Sequence, residues 1–534
     1  MDFSCGNAEF QITKANRLTT RVEFQHNGST LHLFGSPSYL VRYEDLAYDD
    51  AAASVQKAVE SILVNYLKDP GRCADLARLG GDFLVLITQA GDLKEIITPD
   101  TLDSTDTIYF SQREGKLLFS DDYRLFLRGM DLLDPKSYNL PELKHFFINR
   151  TCPPGRTYLA GLFRLQPHTI FKVVGNQVYK EKIIFFPKTD DRPLGTRELL
   201  QVFGRRLNHP EYSVAYSTGI DSHLAFRAAQ DRVKQLLTVY LKRPYQSHQK
   251  TREVGAAFIN SIKFDKDLTI VPIDLEDPVN IEHHKYSAQA NPFKANINNL
   301  MYHLMKHAVC DTVITGELSD EFLCTSESRP WTVRDAIASG AVRQQLYRRL
   351  RARLYQRKCI TREYQTKFAQ QYAATRITTA SPAELERAAG LEQSWPLSYL
   401  TLINGMVTGN VDHWNNPARF HGKKMVFPFA EPLLHYVVVN SNRPWRAFLD
   451  PKWEIRHGQD YLCHKDIQYN LDTGKTFIDS SINRHFHEEM SQAAPELKTF
   501  LDNTAAAANQ KTLSRANESK VFCYLLVMQS LLER

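Results

Sequence analysis

Apolar positions change rhythm along this chain. Up to about residue 190 they fall in short runs broken by turn residues: RVEFQH (21–26), LHLFG (31–35), DFLVLIT (82–88), EIITP (95–99), TIYFSQ (107–112), KLLFSD (116–121), TIFKVV (169–174) and QVYKEKIIFF (177–186). Such runs predict half-buried strands. One longer stretch, AASVQKAVESILVNYLKD at 52–69, predicts a helix. The first part therefore reads as a β-rich α+β unit. From about 195, strand-like runs (SVAYS, LTVYL, LTIVPID, TVITG) alternate with helical stretches (REVGAAFINSI, INNLMYHLMKHAV). That alternation predicts a doubly wound parallel sheet, with ligands at the C-terminal ends of its strands. After 330 the pattern predicts a mainly helical region.

Two turns in the second part carry candidate chemistry. Residues 213–224 read SVAYSTGIDSHL, a strand, a small-residue turn and a helix start. Backbone N–H groups and the hydroxyls of Ser217, Thr218 and Ser222 can converge there on a phosphate, which the helix dipole favours. Asp221 would repel a bare phosphate but fits one bridged by Mg²⁺. Residues 311–324 read DTVITGELSDEFLC, another strand and Gly turn, which supply Asp320 as a partner carboxylate. Taken singly, the first turn is an ordinary strand–turn–helix, and Asp320 with Glu321 an ordinary helix cap with a first-turn acid.

Together, STGIDS and GELSDE resemble the SGGxDS pyrophosphate loop and the GEGSDE-type segment of the asparagine synthetase superfamily. Thr218 stands at the first Gly of the loop and cannot easily take positive φ. LARLGGDFLVLI, FSDDYRLFLRG and PPGRTYLAGLFRLQPHTIFKV follow the order of that family's glutaminase-like domain, and PFAEPLLHYVVV (428–439) resembles its PFLD-type segment. The resemblance implies an α/β chain of two domains. Residues 1–190 would form a degenerate glutaminase-like α+β sandwich of the Ntn type. Residues 191–534 would form a doubly wound ATP pyrophosphatase domain with extra helices.

It also implies a reaction: ATP adenylates a carboxylate, pyrophosphate leaves, and an amine displaces AMP. Asp221 and Asp320 would hold Mg²⁺, and Ser217, Thr218, Gly219 and Ser222 the pyrophosphate. Leu241 and Gly316 would lie near the adenosine. Glu317 sits where the family contacts the reacting carboxylate or amine. Glu253 matches a supporting position, or is a plain surface Glu. Cyclising members use a late Lys near the α-phosphate. Lys465, ahead of DIQYNLDTGKTF, has nearly that spacing, and Lys475 is the second choice. Either Lys alone reads as a solvated surface residue.

Glutamine-using members carry Cys directly after the initiator Met, its α-amine serving as base. Here residue 2 is Asp, and Cys5 would serve only after removal of four residues. The expectation is a dead glutaminase and an amine from elsewhere, as in cyclising members. A lasso peptide cyclase is favoured, joining a precursor peptide's N-terminal amine to an Asp or Glu side chain. That resemblance implies a leader-binding protein and a leader peptidase acting upstream. A β-lactam or carbapenam-type synthetase, a non-catalytic scaffold and a transfer-RNA-modifying enzyme are the alternatives.

Composition narrows the rest. The chain has 534 residues, 43% hydrophobic and 24% charged, enough for two or three domains of a soluble type. No apolar run suits a membrane span and the N-terminus lacks a secretory pattern, so no membrane partner is expected. Eight Cys without a CxxC pair point to a reducing cytoplasm. A net charge of +6 permits an anionic partner without requiring one, and nucleic acid is not expected. Residues 342–358, VRQQLYRRLRARLYQRK, hold seven Arg/Lys and no acid, with Leu346, Leu350 and Leu354 every fourth residue. This is a solvated helix face, or a dock for an acidic peptide segment or for nucleic acid. His485-Phe486-His487-Glu488 lacks a third clustered ligand for a metal. Gly474-Lys475-Thr476 mimics a Walker A end, but position 469 is Tyr where that loop needs Gly.

Overall fold

A computed structural model describes residues 1–12, 21–42, 47–49, 52–98, 107–149, 152, 155–166, 169–183, 199–200, 203–204, 207, 209–216, 220–241, 267–274, 277–290, 300–319, 408–430, 481–508, 520–521 and 523–528. The chain is a mixed α/β protein with parallel and antiparallel sheets and helices. Its first part supplies β1 (Asp2–Cys5), β2 (Ala8–Gln11), β3 (Arg21–His26), β4 (Ser29–Arg42), β5 (Ala47–Asp49), β6 (Leu79–Gln89), β7 (Asp92–Ile97), β8 (Tyr109–Arg113), β9 (Lys116–Ser120), β10 (Phe163–Arg164), β11 (Thr169–Val174) and β12 (Gln177–Ile183). Each strand-like run of the first part falls on one of them. The β1–β2 hairpin at the N-terminus was not anticipated.

These strands form two sheets, ordered β1-β2-β9-β8-β10 and β12-β11-β7-β6-β4-β3, with β5 on β4. Period-two alternation sends Phe34, Leu84, Leu86, Ile96 and Phe171 of the larger sheet toward Phe10, Phe110 and Phe119 of the smaller, where one apolar cluster fills the gap. Phe10 and Phe119 stack with centroids 4.3 Å apart. The opposite residues of the larger sheet, Leu31, Leu33, Val85 and Ile87, pack under α1 (Ala52–Lys68). Val59, Ile62, Leu63 and Tyr66 form its buried stripe at i, i+3, i+4 and i+7. Burying each stabilises by about 1.5–3 kcal/mol.

Beyond the smaller sheet lie α2 (Arg124–Leu127) and α3 (Leu140–Asn149). In the parallel-sheet region, β13 (Tyr212–Ala215) leads into α4 (Ile220–Ala229), followed by β14 (Val233–Leu241), β15 (Asp267–Ile273), α5 (Val279–Ala290), α6 (Leu300–His307), β16 (Thr312–Thr315), α7 (Thr408–Phe420) and β17 (Lys424–Val426). The sheet runs β15-β14-β13-β16-β17, all parallel. Sequence order reverses between β13 and β16, which makes their C-terminal ends the switch point where such sheets open a crevice. One face buries Tyr212, Val214, Leu236 and Ile314 with Phe226 of α4. The other buries Leu237, Val271 and Val313 beneath Leu304 and Met305 of α6 and Val411 and Trp414 of α7. Both faces are covered, as parallel sheets require. β17 is a short strand within the region after 330 whose pattern predicts mainly helix. Three residues carry no periodicity, and pairing with β16 makes them a strand, anchored by Lys424 N donating to Asp311 O at 2.8 Å.

Two helices late in the chain, α8 (Ser481–Ala493) and α9 (Pro495–Ala508), return to the first part of the chain. Phe486, Met490, Leu497 and Leu501 share a core with Leu143, Phe146 and Phe147 of α3 and with Tyr524. Asp502 receives hydrogen bonds from Lys520 at 2.6 Å, Lys498 at 2.8 Å and the Tyr524 hydroxyl at 2.9 Å. Burial opposes its charge, yet these donors pull its carboxyl down to about 2.

Two polar groups of the interior hold the parallel region in place. Gln235 is 1% exposed. Its oxygen accepts from Ser213 Oγ (2.8 Å) and Val309 N (3.0 Å), and its amide nitrogen donates to Thr269 Oγ1 (2.8 Å) and the His307 carbonyl (3.1 Å). One side chain thus fixes β13, β14, β15 and the α6–β16 turn. The second group is a histidine knot joining α5, α6 and α7. His283 stacks on Tyr302 at 4.5 Å and meets His303 and His421 edge-on at 5.3 and 6.2 Å. Burial, then the neighbouring His303 and His421, push His283 down to about 3. Burial also lowers His303 and His421, with Lys306 adding to it and Asp277 opposing it at His303.

Gln235→Leu leaves buried donors and acceptors unpaired, so it is expected to cost roughly 2–4 kcal/mol. Urea unfolding reads this as a lower midpoint at constant slope, and an unmoved midpoint refutes the clamp. The histidines are neutral in the fold but take protons near pH 6.5 when unfolded. The unfolded state therefore binds more protons below that pH. Stability is complete above about pH 6.5 and falls as the pH drops toward 3. Thermal midpoints across pH 4–8 check this. His283→Phe keeps a ring on Tyr302 and should flatten the acid side of the profile.

Candidate functional site

At the switch point β13 ends at Ala215, and Tyr216 continues its pairing, donating from its backbone N to Leu237 O at 2.7 Å. Ser217, Thr218 and Gly219 lie outside the described residues. α4 begins at Ile220, with Asp221 in its first turn and Ser222 buried. A carboxylate there lies at the positive end of the helix dipole. On the neighbouring strand, β16 ends at Thr315. Gly316 and Glu317 follow, and Glu317 N donates to Thr315 Oγ1 at 3.2 Å.

Gly316 joins the two segments. A Cβ at this position would lie 2.4 Å from Ser222 N, 2.5 Å from Asp221 C and 2.7 Å from Asp221 O. All three are backbone atoms of a helix turn, so none can swing away. The end of β16 and the start of α4 therefore touch main chain to main chain, which only glycine permits. This brings together four of the residues singled out in the sequence: Asp221, Ser222, Gly316 and Glu317. Leu241 ends β14, paired with Ile273 of β15, two strands from β16. Asp320, Glu253, Lys465, Lys475 and the basic segment 342–358 lie outside the described residues. His487 is half-buried on α8, at 5.1 Å from the Tyr524 ring, and no cluster of three or more His, Cys, Asp or Glu side chains placed to hold a metal occurs among the described residues.

Three features escaped the sequence reading. Trp414 on α7 donates from Nε1 to Glu317 Oε2 at 3.1 Å. Nothing local signals a contact across 97 positions. Tyr216 and His223 flank the turn and join hydroxyl to Nδ1 at 3.0 Å. Burial, with Arg227 adding to it, pushes His223 down to about 4, so the ring is neutral at pH 7. Leu318 has φ of 77°, the left-handed region that favours glycine, while its side chain is 1% exposed. The comparison of GELSDE with GEGSDE held that signal: Leu stands where the pattern has Gly. The backbone penalty is about 1–2 kcal/mol, whereas burying the leucine returns about 2–5 kcal/mol relative to a small residue, so packing wins.

The arrangement offers a helix N-terminus, a first-turn carboxylate and a second carboxylate on the adjacent loop. A first-turn carboxylate such as Asp221 suits a hard cation such as Mg²⁺ beside phosphate, and its expected partner Asp320 lies outside the described residues.

Gly316→Ala is expected to push the two loops apart. Overpacking of this kind costs roughly 1–3 kcal/mol. A denaturation midpoint as high as wild type, with Trp414 fluorescence unchanged, would refute the main-chain contact.

No family model matches the chain, and no curated protein matches its sequence.

Proposed function

We propose that the chain is an ATP- and Mg²⁺-dependent, AMP-forming amide ligase of asparagine synthetase type, acting as a macrolactam synthetase on a precursor peptide. The observation that carries this reading is the main-chain contact of Gly316 with Asp221 and Ser222 at the switch point of a parallel sheet. It joins the two turns whose residues resemble that family's loops. The helix–sheet–sheet–helix packing of the first part fits a glutaminase-like domain over 1–190 ahead of a ligase domain over 191–534.

The roles follow from chemistry. Ser222, with Ser217, Thr218 and Gly219, would cradle the pyrophosphate at the α4 N-terminus. Gly316 and Leu241 would border the adenosine. Asp221, with Asp320, would hold Mg²⁺, whose chemistry is to neutralise the phosphates. A peptide carboxylate attacks the α-phosphorus and pyrophosphate leaves. The amine then forms the C–N bond as AMP departs. Glu317 would orient that amine, and Lys465, or Lys475 in its place, would offset charge growing on the α-phosphate.

The amine would come from the peptide itself. Asp2 is exposed on β1, and Cys5 is half-buried with its thiol pushed up by burial, a poor nucleophile. The location consistent with this chemistry is the cytoplasm, with leader-binding protein and leader peptidase upstream. A competing reading, a scaffold on the same frame, draws on Leu318 at positive φ and Thr218 at the loop's first Gly position.

ATP–pyrophosphate exchange driven by candidate precursor peptides separates the two. Asp221→Asn is expected to lower exchange by two orders of magnitude or more, as roughly 3 kcal/mol of transition-state stabilisation would do, with the unfolding midpoint unchanged. Lys465→Ala should depress product formation far more than ATP binding, since its contact strengthens as charge develops. Near-normal exchange in Asp221→Asn sinks the metal assignment. A dead Lys475→Ala beside an active Lys465→Ala exchanges the two lysines' roles.

A further inference from the structure

We propose that Trp414 is a positioning residue for Glu317, setting the direction of the carboxylate that meets the amine; the role rests on the ligase reading above. The contact runs from Nε1 to Oε2 at 3.1 Å. An indole offers one donor and no acceptor, so this bond has one polarity and suits a carboxylate. Glu317 stands on a loop just past β16 and is only half-buried. A glutamate on a loop samples several rotamers, and each lost rotamer is entropy that a rigid partner can absorb beforehand.

Trp414 is such a partner. It is 5% exposed and lies in one core with Val411, Ala418 and Leu318. The helix that bears it is held at its far end, where Phe420 and His421 enter the knot around His283 and Tyr302. Pro417, one turn after Trp414, lacks the N–H that would bond the carbonyl four residues before it, so this part of the helix relies more on packing. The indole is thus fixed from both sides, and Glu317 inherits its direction. In the amide-forming step the amine nitrogen bonds the acyl carbon, the acyl–phosphate C–O bond breaks, and AMP leaves with the electron pair. The excess proton of the amine passes to Glu317. A carboxylate aimed at that nitrogen serves this step and has no part in adenylation. The contact should therefore matter to the second half-reaction alone.

The test uses the full chain labelled with 5-fluorotryptophan, whose five tryptophans give resolvable ¹⁹F resonances. Trp414→Phe assigns one of them. Glu317→Gln should shift that resonance and leave the other four in place; an unmoved Trp414 resonance overturns the contact and the proposal. Single-turnover kinetics then separate the half-reactions. Trp414→Phe should leave ATP–pyrophosphate exchange within about twofold and slow product formation from the adenylate roughly 10- to 100-fold. Equal loss in both half-reactions, or loss in neither, reduces Trp414 to a packing residue and overturns its role. Failure of the ligase reading is distinguishable: the wild-type chain then shows no exchange with any peptide, while the fluorine shift still records the contact.

Discussion

The approach of Gly316 to the first turn of α4 is the constraint on which the site depends. Two main chains lie closer than any side chain allows. Everything near them follows from that distance. Asp221 and Glu317 come from segments about a hundred residues apart, and they become neighbours because β13 and β16 pair directly, Ala215 against Thr315. A larger residue at 316 would have to move a helix, and that helix is buried on both sides by Ile220, Leu224, Ala225 and Phe226.

The sheet transmits this constraint because its opposite end is equally fixed. Gln235, itself buried, ties β13, β14 and β15 to the turn into β16 through four hydrogen bonds. Buried amides are costly when unpaired and rigid when paired. The strand ends that face the crevice are therefore held by a clamp at the strand beginnings. α7 adds a third point of support: its far end sits in the neutral histidine knot while Trp414 reaches the site. Acid that charges the knot would loosen the element that holds Glu317, which ties site geometry to stability below about pH 6.5.

Much of this was legible in the residues. The change from period-two runs to alternating strand and helix predicted the change from mainly antiparallel sheets to a parallel one, since each pattern reports which faces are buried. STGIDS and TGELSDE marked two strand ends as candidate ligand sites, and the pairing of β13 with β16 puts them side by side at the switch point. The β1–β2 hairpin was missed although Ala8 and Phe10 alternate with polar residues, because the run is short. β17 could not be read at all. Its three residues are a strand only because β16 offers them an edge.

The sequence alone determined local things: where the longer strands and helices form, where turns need small residues, and which carboxylates stand beside them. These depend on periodicity and on sterics within a few residues. Tertiary structure decided what long-range proximity controls. It decided that Gly316 is needed for space, since its contact is with residues 221 and 222. It decided that Leu318 takes a glycine-like conformation, because the core gains more from its side chain than the backbone loses. And it decided that Trp414 bonds Glu317 across 97 positions, a contact set by how α7 packs over the sheet and by nothing in either local sequence.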